Sequence, residues 1–214
     1  MNQATIKDVA VRAGVSKTTV SHVINASRFV EEETRRKVLQ AIAELHYRPS
    51  AAARSLTTKR TRTIGIVISD SSNPFFGDML LRIEEVLRPQ NYALIICNTN
   101  ETLEYEAHYL DLLLNQRVDG IIAAATSQPW IELSKAETQH TPIVFVDRAF
   151  DNLDGYYVGV DNKYGAYIGT QHLIKCGYQK IGILAGLERL STMRERTEGY
   201  RCALQDAGIP IHNE

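Results

Sequence analysis

No apolar run in this 214-residue chain approaches the roughly 18–20 residues that a membrane-spanning helix needs. The opening residues, Met1-Asn2-Gln3-Ala4-Thr5, hold no apolar stretch of the kind that directs export. Cysteine is scarce: Cys97, Cys176 and Cys202 are odd in number and far apart, which argues against a disulfide framework and against a paired-cysteine metal site. These absences point to a reduced, cytoplasmic protein. The signatures of common enzymes are missing as well. There is no Gly-x-Ser-x-Gly elbow, no phosphate loop ending in Gly-Lys-Ser/Thr and no Gly-x-Gly-x-x-Gly. The six histidines are scattered without metal-ligand spacing, so no catalytic residue, metal or cofactor is expected.

What is present is divided unevenly. The net charge of −1 conceals a basic front and an acidic remainder. Residues 1–62 carry twelve Lys and Arg against five Asp and Glu, whereas residues 63–214 carry twelve against twenty. A basic head on an acidic body suggests contact with nucleic acid, although a solvated basic helix pair has the same composition.

The head reads as three short helices. Thr5 is placed to cap the first, with Asp8 in its first turn, and Ile6, Val9, Ala10 and Ala13 form a helical apolar stripe. Gly14 supplies the left-handed stop. Ser16 caps a second helix with Val20, Val23 and Ile24 inward, and a third runs over about 32–45 with Val38, Leu39, Ile42 and Leu45 buried. Helix, glycine-bearing turn and helix describe a helix-turn-helix, with a plain helical mini-bundle as the alternative. The exposed positions of the second helix, Lys17, Thr18, Ser21, His22 and Asn25, are basic or hydrogen-bonding, as an element entering the major groove requires.

Thr5-Ile6-Lys7-Asp8-Val9-Ala10, Ala13-Gly14-Val15-Ser16, Thr19-Val20-Ser21 and Val23-Ile24-Asn25 resemble the head of the lactose/galactose repressor (LacI/GalR) family, especially its purine- and ribose-type members. The resemblance implies that Lys17, Thr18 and His22 read bases. Ser16, Thr19, Ser21 and Asn25 are better assigned to phosphates or caps, which position without specifying.

Pro49 ends the third helix, and Ser50-Ala51-Ala52-Ala53-Arg54-Ser55-Leu56 has helical propensity over about two turns, too few to be stable alone. This stretch resembles the family's hinge. The resemblance implies that Ala53 and Arg54 lie in a pair of hinge helices, one per subunit of a homodimer, and that Leu56 wedges into the minor groove. A plain linker through residues 57–62 is the alternative. The expected division is therefore a head over 1–49, a hinge and linker over 50–62, and an effector domain over 63–214.

From Thr63 onward, apolar runs at 64–68, 93–96, 120–123, 143–146, 157–160 and 181–184 read as strands. Helical stretches at 76–88, 103–116, 131–138 and 164–176 alternate with most of them, and another at 192–207 follows the last. The pattern predicts a doubly wound, mostly parallel α/β sheet, with ligands beyond the carboxyl ends of its strands. Loops at those ends hold Asn73, Phe75 and Phe76, then Asp147 and Arg148, then Arg196. Aromatic rings with Asn, Asp and Arg suit a sugar. Each has another possible role: Phe75 and Phe76 in a core, Asp147 and Arg148 as a surface ion pair, Asn73 as a cap.

Together these segments resemble periplasmic ribose-binding proteins and the sugar-responsive repressors. That implies effector contact by all six residues and ribose or another pentose as effector, with a purine or a phosphoprotein as alternatives. The expected function is a dimeric, non-enzymatic regulator, most simply a repressor, that binds a palindromic operator in double-stranded DNA. An exported sugar-binding protein shares the fold but would need an export signal and no basic head. The chain stops at Glu214 soon after the sixth strand and its helix. The family's effector domain continues, so this one is expected to be C-terminally incomplete.

Overall fold

The computed structural model describes residues 4–48, 60–125, 135–148 and 155–211. The chain divides into two compact units, Met1–Thr61 and Arg62–Glu214.

Local chemistry explains the first unit. Helix α1 spans Ile6–Ala13 and begins in a capping box: Asp8 Oδ2 accepts the Thr5 amide at 2.8 Å while Thr5 Oγ1 accepts from Asp8 N at 3.4 Å. Its end is Gly14 at φ 67°, the left-handed conformation that costs glycine least. Helix α2, Lys17–Asn25, starts on Ser16, whose Oγ accepts from Thr19 N at 3.0 Å. Helix α3 spans Glu32–Glu44, with Glu32 and Glu33 favouring the positive end of its dipole. Val9, Ala10, Val20, Val23, Val38 and Ala41 form the shared core, one face from each helix. Arg12 Nε donates to Glu44 Oε2 at 2.7 Å, tying α1 to α3 at the surface.

The second unit is a five-stranded parallel sheet in the order β2-β1-β3-β4-β5. The strands are β1 Thr63–Ile68, β2 Ala93–Asn98, β3 Gly120–Ala123, β4 Ile143–Val146 and β5 Tyr156–Val158. Its helices are α4 Pro74–Leu87, α5 Leu103–Asn115, α6 Asn162–Lys175 and α7 Ser191–Asp206. Strand β1 is flanked on both edges, which explains its continuous apolar run and the complete burial of Ile66, Val67 and Ile68. Its alternating side chains feed two cores. Ile66 and Ile68 pack with Phe76 of α4, and Val67 packs with Leu110, Leu113 and Leu114 of α5. One helix on each face makes the sheet doubly wound. Strand order reverses between β1 and β3, and a ligand crevice is expected beyond the carboxyl ends at such a reversal.

Three expectations need correction. Residues 181–184 form no strand. A strand is completed by hydrogen bonds to a neighbour, and none of the described strands runs alongside this segment. Its residues alternate as in a strand, Ile181 and Ile183 half-buried and Leu184 fully exposed, so pattern alone could not supply the missing partner. The fifth strand lies at Tyr156–Val158 rather than 157–160, because pairing with β4 ends at Val146 opposite Val158. Leu39 is 48% exposed, since α3 turns Val38, Ala41 and Ile42 toward the core instead. The helix expected over 131–138 falls largely outside the described residues, as does the hinge with Ala53, Arg54 and Leu56.

Candidate nucleic-acid interface and effector site

Burial of Val20 and Val23 fixes the rotation of α2 and turns Lys17, Thr18 and Asn25 to the outside, with Ser21 and His22 half-buried. The polar side chains differ in their commitments. Ser16 and Thr19 are engaged with each other, their hydroxyls 2.9 Å apart. Asn25 Nδ2 donates to Ser21 Oγ at 3.2 Å, and His22 Nδ1 lies 2.9 Å from Ser27 Oγ. Lys17 and Thr18 project from the first turn of the helix, the end that reaches base edges when a recognition helix enters the groove.

In the second unit the expected effector residues occupy two neighbourhoods. Asn73 caps α4 by accepting from Phe75 N at 3.0 Å. Phe76 is 3% exposed and belongs to the core, whereas Phe75 is 49% exposed and meets it edge to face at 5.2 Å. Of the aromatic pair, Phe75 presents the open ring and Phe76 supports it.

Asp147, Arg148 and Arg196 belong to a polar cluster at the strand ends. Arg148, at the end of β4, donates to both oxygens of Glu101, Nη2 to Oε1 at 2.5 Å and Nη1 to Oε2 at 3.0 Å. Its Nη2 also donates to Ser69 Oγ at 3.1 Å, joining the ends of β1 and β4. Asp147 sits at φ 66°, a left-handed value uncommon outside glycine, and Arg148 N closes the tight turn by donating to Val146 O at 2.7 Å. That turn is held from β5, where Val158 O accepts from Asp147 N at 3.0 Å and Tyr157 Oη donates to Asp147 O at 3.1 Å. Burial raises the Asp147 carboxyl above its ordinary value of 3.8, while the positive charges of Arg148 and then Arg196 pull it back and Glu101 adds to the rise. Arg196 Nε donates to Asn162 Oδ1 at 2.9 Å, and Asn162 Nδ2 donates to Glu195 at 3.1 Å.

Ser69, Glu101, Tyr157 and Asn162 were not singled out from sequence. Glu101 follows β2 and Ser69 follows β1, so the rule that ligands gather at strand ends was the available signal for both. A cavity of about 530 Å³ lies elsewhere, between α6, residues 181–185 and α7. Its walls are largely aliphatic, and it meets the polar cluster at Asn162 and Arg196. Among the described residues no helix is long and apolar enough to cross a membrane, and no group of three or more His, Cys, Asp or Glu could hold a metal ion.

A helix-turn-helix unit and a doubly wound α/β unit with a polar cluster at its strand ends stand in one chain. The sequence matches two family descriptions, bacterial regulatory proteins of the lacI family over residues 5–50, and periplasmic binding proteins and sugar binding domain of LacI family over residues 61–214. The chain belongs to the LacI family. An HTH-type transcriptional repressor PurR of Photobacterium profundum is 42% identical over 212 residues, covering 98% of this chain and 63% of the relative. The lac repressor dimer bound to operator and the anti-inducer ONPF has a TM-score of 0.82 at 27% identity, over 98% of this chain and 64% of that one. A putative ribose operon repressor from Burkholderia thailandensis has a TM-score of 0.67 at 31% identity, over 72% of this chain and 59% of that one. The chain therefore spans about 63% of the length of the curated relatives it matches. Those relatives are named as repressors, not as enzymes.

Proposed function

We propose that this protein is a cytoplasmic, sequence-specific transcriptional repressor that binds a palindromic operator as a homodimer and responds to a small effector. The observation that carries the reading is the outward face of α2, where Lys17 and Thr18 stand exposed while Val20 and Val23 are buried. Lys17 donates to guanine, Thr18 and His22 donate or accept, and Ser16, Thr19, Ser21 and Asn25 position the helix on phosphates. The dimer places two heads on two half-sites, and the hinge helices with Ala53, Arg54 and Leu56 order in the minor groove. The lac repressor dimer on its operator supports this arrangement.

The effector is bound at the strand ends by Phe75, Asp147 and Arg196, with Arg148 holding Glu101 behind them and Asn73 and Phe76 shaping the wall. The relatives named PurR favour a purine nucleobase, which would stack on the open ring of Phe75. A ribose-like sugar is the second reading, favoured by the likeness to the putative ribose operon repressor. Either ligand couples to DNA only through different affinities for the DNA-competent and DNA-free states, and the coupling is reciprocal.

Selection from a palindromic operator library, with and without hypoxanthine or ribose and at two salt concentrations, tests the reading. A selected palindrome whose affinity one ligand changes is the expected outcome. Binding that is steep in salt but blind to sequence would overturn it.

A further inference from the structure

We propose that Glu101 sets the charge class of the effector, admitting neutral hydrogen-bonding molecules and turning away anionic ones such as phosphorylated sugars and nucleotides. The inference rests on the effector-site reading above and adds a selectivity that neither the purine nor the sugar reading supplies.

A buried guanidinium at a strand end is ordinarily the receptor for a phosphate or carboxylate, because its fork of donors matches two oxygens at once. Arg148 is 6% exposed, and its two terminal nitrogens are already engaged from within the protein. Glu101 takes Nη1 and Nη2, and Ser69 takes a further Nη2 bond. Asp147 Oδ2 stands 3.7 Å from Nε. An anionic ligand would have to displace a carboxylate bound through two oxygens and then lie beside it.

Charge around Glu101 is balanced. The guanidinium groups of Arg148, Arg189 and Arg196 stand with the carboxylates of Glu101, Asp147 and Glu195, three against three, and Arg189 reaches Glu101 through its main-chain oxygen. Arg196 is bound through Nε to Asn162, whose amide is shared with Glu195. The side chains of Glu101 and Asp147 remain 29% and 14% accessible, so acceptor oxygens line the reachable rim. Such a rim suits a ligand rich in hydroxyl or ring N–H donors.

The backbone places Glu101 deliberately. Asn100 and Glu101 are both left-handed, at φ 49° and 58°, and Asp147 across the ion pair is at 66°. Non-glycine residues in this region cost free energy and persist where the surrounding structure holds them, often at binding sites. Arg189 contributes by donating to Glu101 O at 3.2 Å, so the residue is held through its main chain as well as its carboxylate.

Calorimetry on the full chain with two matched pairs tests the proposal: ribose against ribose 5-phosphate, and inosine against inosine 5′-phosphate. The neutral member of the pair that binds should be at least about tenfold tighter, or about 1.4 kcal/mol. Glu101→Gln should narrow that gap about tenfold, with the phosphorylated member gaining. If that variant does not fold, raising the salt on the wild-type chain should narrow the gap, since screening weakens like-charge repulsion. A wild-type chain that takes the phosphorylated member equally well, or a gap blind to both Glu101→Gln and salt, overturns the proposal while leaving the effector site standing. Failure of all four molecules to bind would remove the effector site itself and the proposal with it.

Discussion

Asn162, 4% exposed at the start of α6, accepts from Arg196 Nε at 2.9 Å while its own amide donates to Glu195 at 3.1 Å. One small side chain thus orients two oppositely charged residues of α7 and fixes where the Arg196 guanidinium presents its other donors. Replacing Asn162 with Ala strips the Arg196 Nε of its acceptor, and because Arg196 is exposed, water can take that place. The expected cost is about 0.5–1.5 kcal/mol of stability, read by urea unfolding. The effector response should weaken further than that loss explains, because Arg196 is no longer aimed. A variant with normal unfolding and a normal response would mean that Asn162 merely fills space.

Ser16 and Lys17 are adjacent, yet they should fail in different ways. Ser16→Ala removes the acceptor for Thr19 N and costs about 1 kcal/mol of stability in the head. Lys17 is exposed at the N-terminal end of α2, so Lys17→Ala should leave unfolding unchanged. Its operator affinity should fall by about 1–3 kcal/mol, with specificity relaxed at one base pair of each half-site. Loss that is uniform across all sequences would make Lys17 a phosphate contact instead.

How much of this was legible in the residues depends on the range of the interaction. Thr5, Asp8, Gly14 and Ser16 act within four residues of themselves, and each took the role its local spacing announced. Strand β1 was equally plain, since a buried parallel strand needs an unbroken apolar run. The segment at 181–184 has a similar texture and no partner strand among the described residues, and no property of those four residues distinguishes the two cases. Arg148 stood out in the sequence as a candidate, but its partner Glu101 lies 47 positions away and meets it only because β2 and β4 end on the same side of the sheet. Phe75 and Phe76 are identical in type, and only the rotation of α4 assigns one to solvent and one to the core.

The hinge prediction rests on sequence, as Leu56 lies outside the described residues. A minor-groove wedge stabilises only the bent, specific complex. Leu56→Ala should therefore weaken operator binding much more than binding to random DNA, measured by titrating both at one salt concentration. Equal loss on the two DNAs would reduce the stretch to a linker.

Asp147 makes stability and function oppose each other. Burial raises its carboxyl above 3.8, so the protonated form is the one the fold prefers. Its contribution is most favourable below about pH 3.8 and declines as the pH rises through the raised folded value. At neutral pH the ionised group is a net burden. Asp147→Asn should then be more stable than the wild type at pH 7, with the advantage disappearing toward pH 4. The same substitution should abolish the effector's influence on DNA binding. If stability falls at pH 7, the pull of Arg148 and Arg196 outweighs desolvation; if the effector still acts, Asp147 lies outside its site.

Gly199 on α7 is required by close approach rather than by backbone conformation. A Cβ there would run into the carbonyl of Lys163 on α6 and come within 3.0 Å of Tyr167 N. Backbone atoms cannot rotate aside as a side chain tip can, so Gly199→Ala must separate α6 from α7. Overpacking of this kind costs about 1–3 kcal/mol. It should also disturb the Asn162–Arg196 bond, which spans the same two helices. Gly169 on α6 is the matched control, since a Cβ there meets nothing within 4 Å. Gly169→Ala should gain up to about 1 kcal/mol from helix propensity alone. Unfolding curves of the two variants should therefore move in opposite directions, and movement in the same direction would show that the α6–α7 contact yields more easily than its geometry implies.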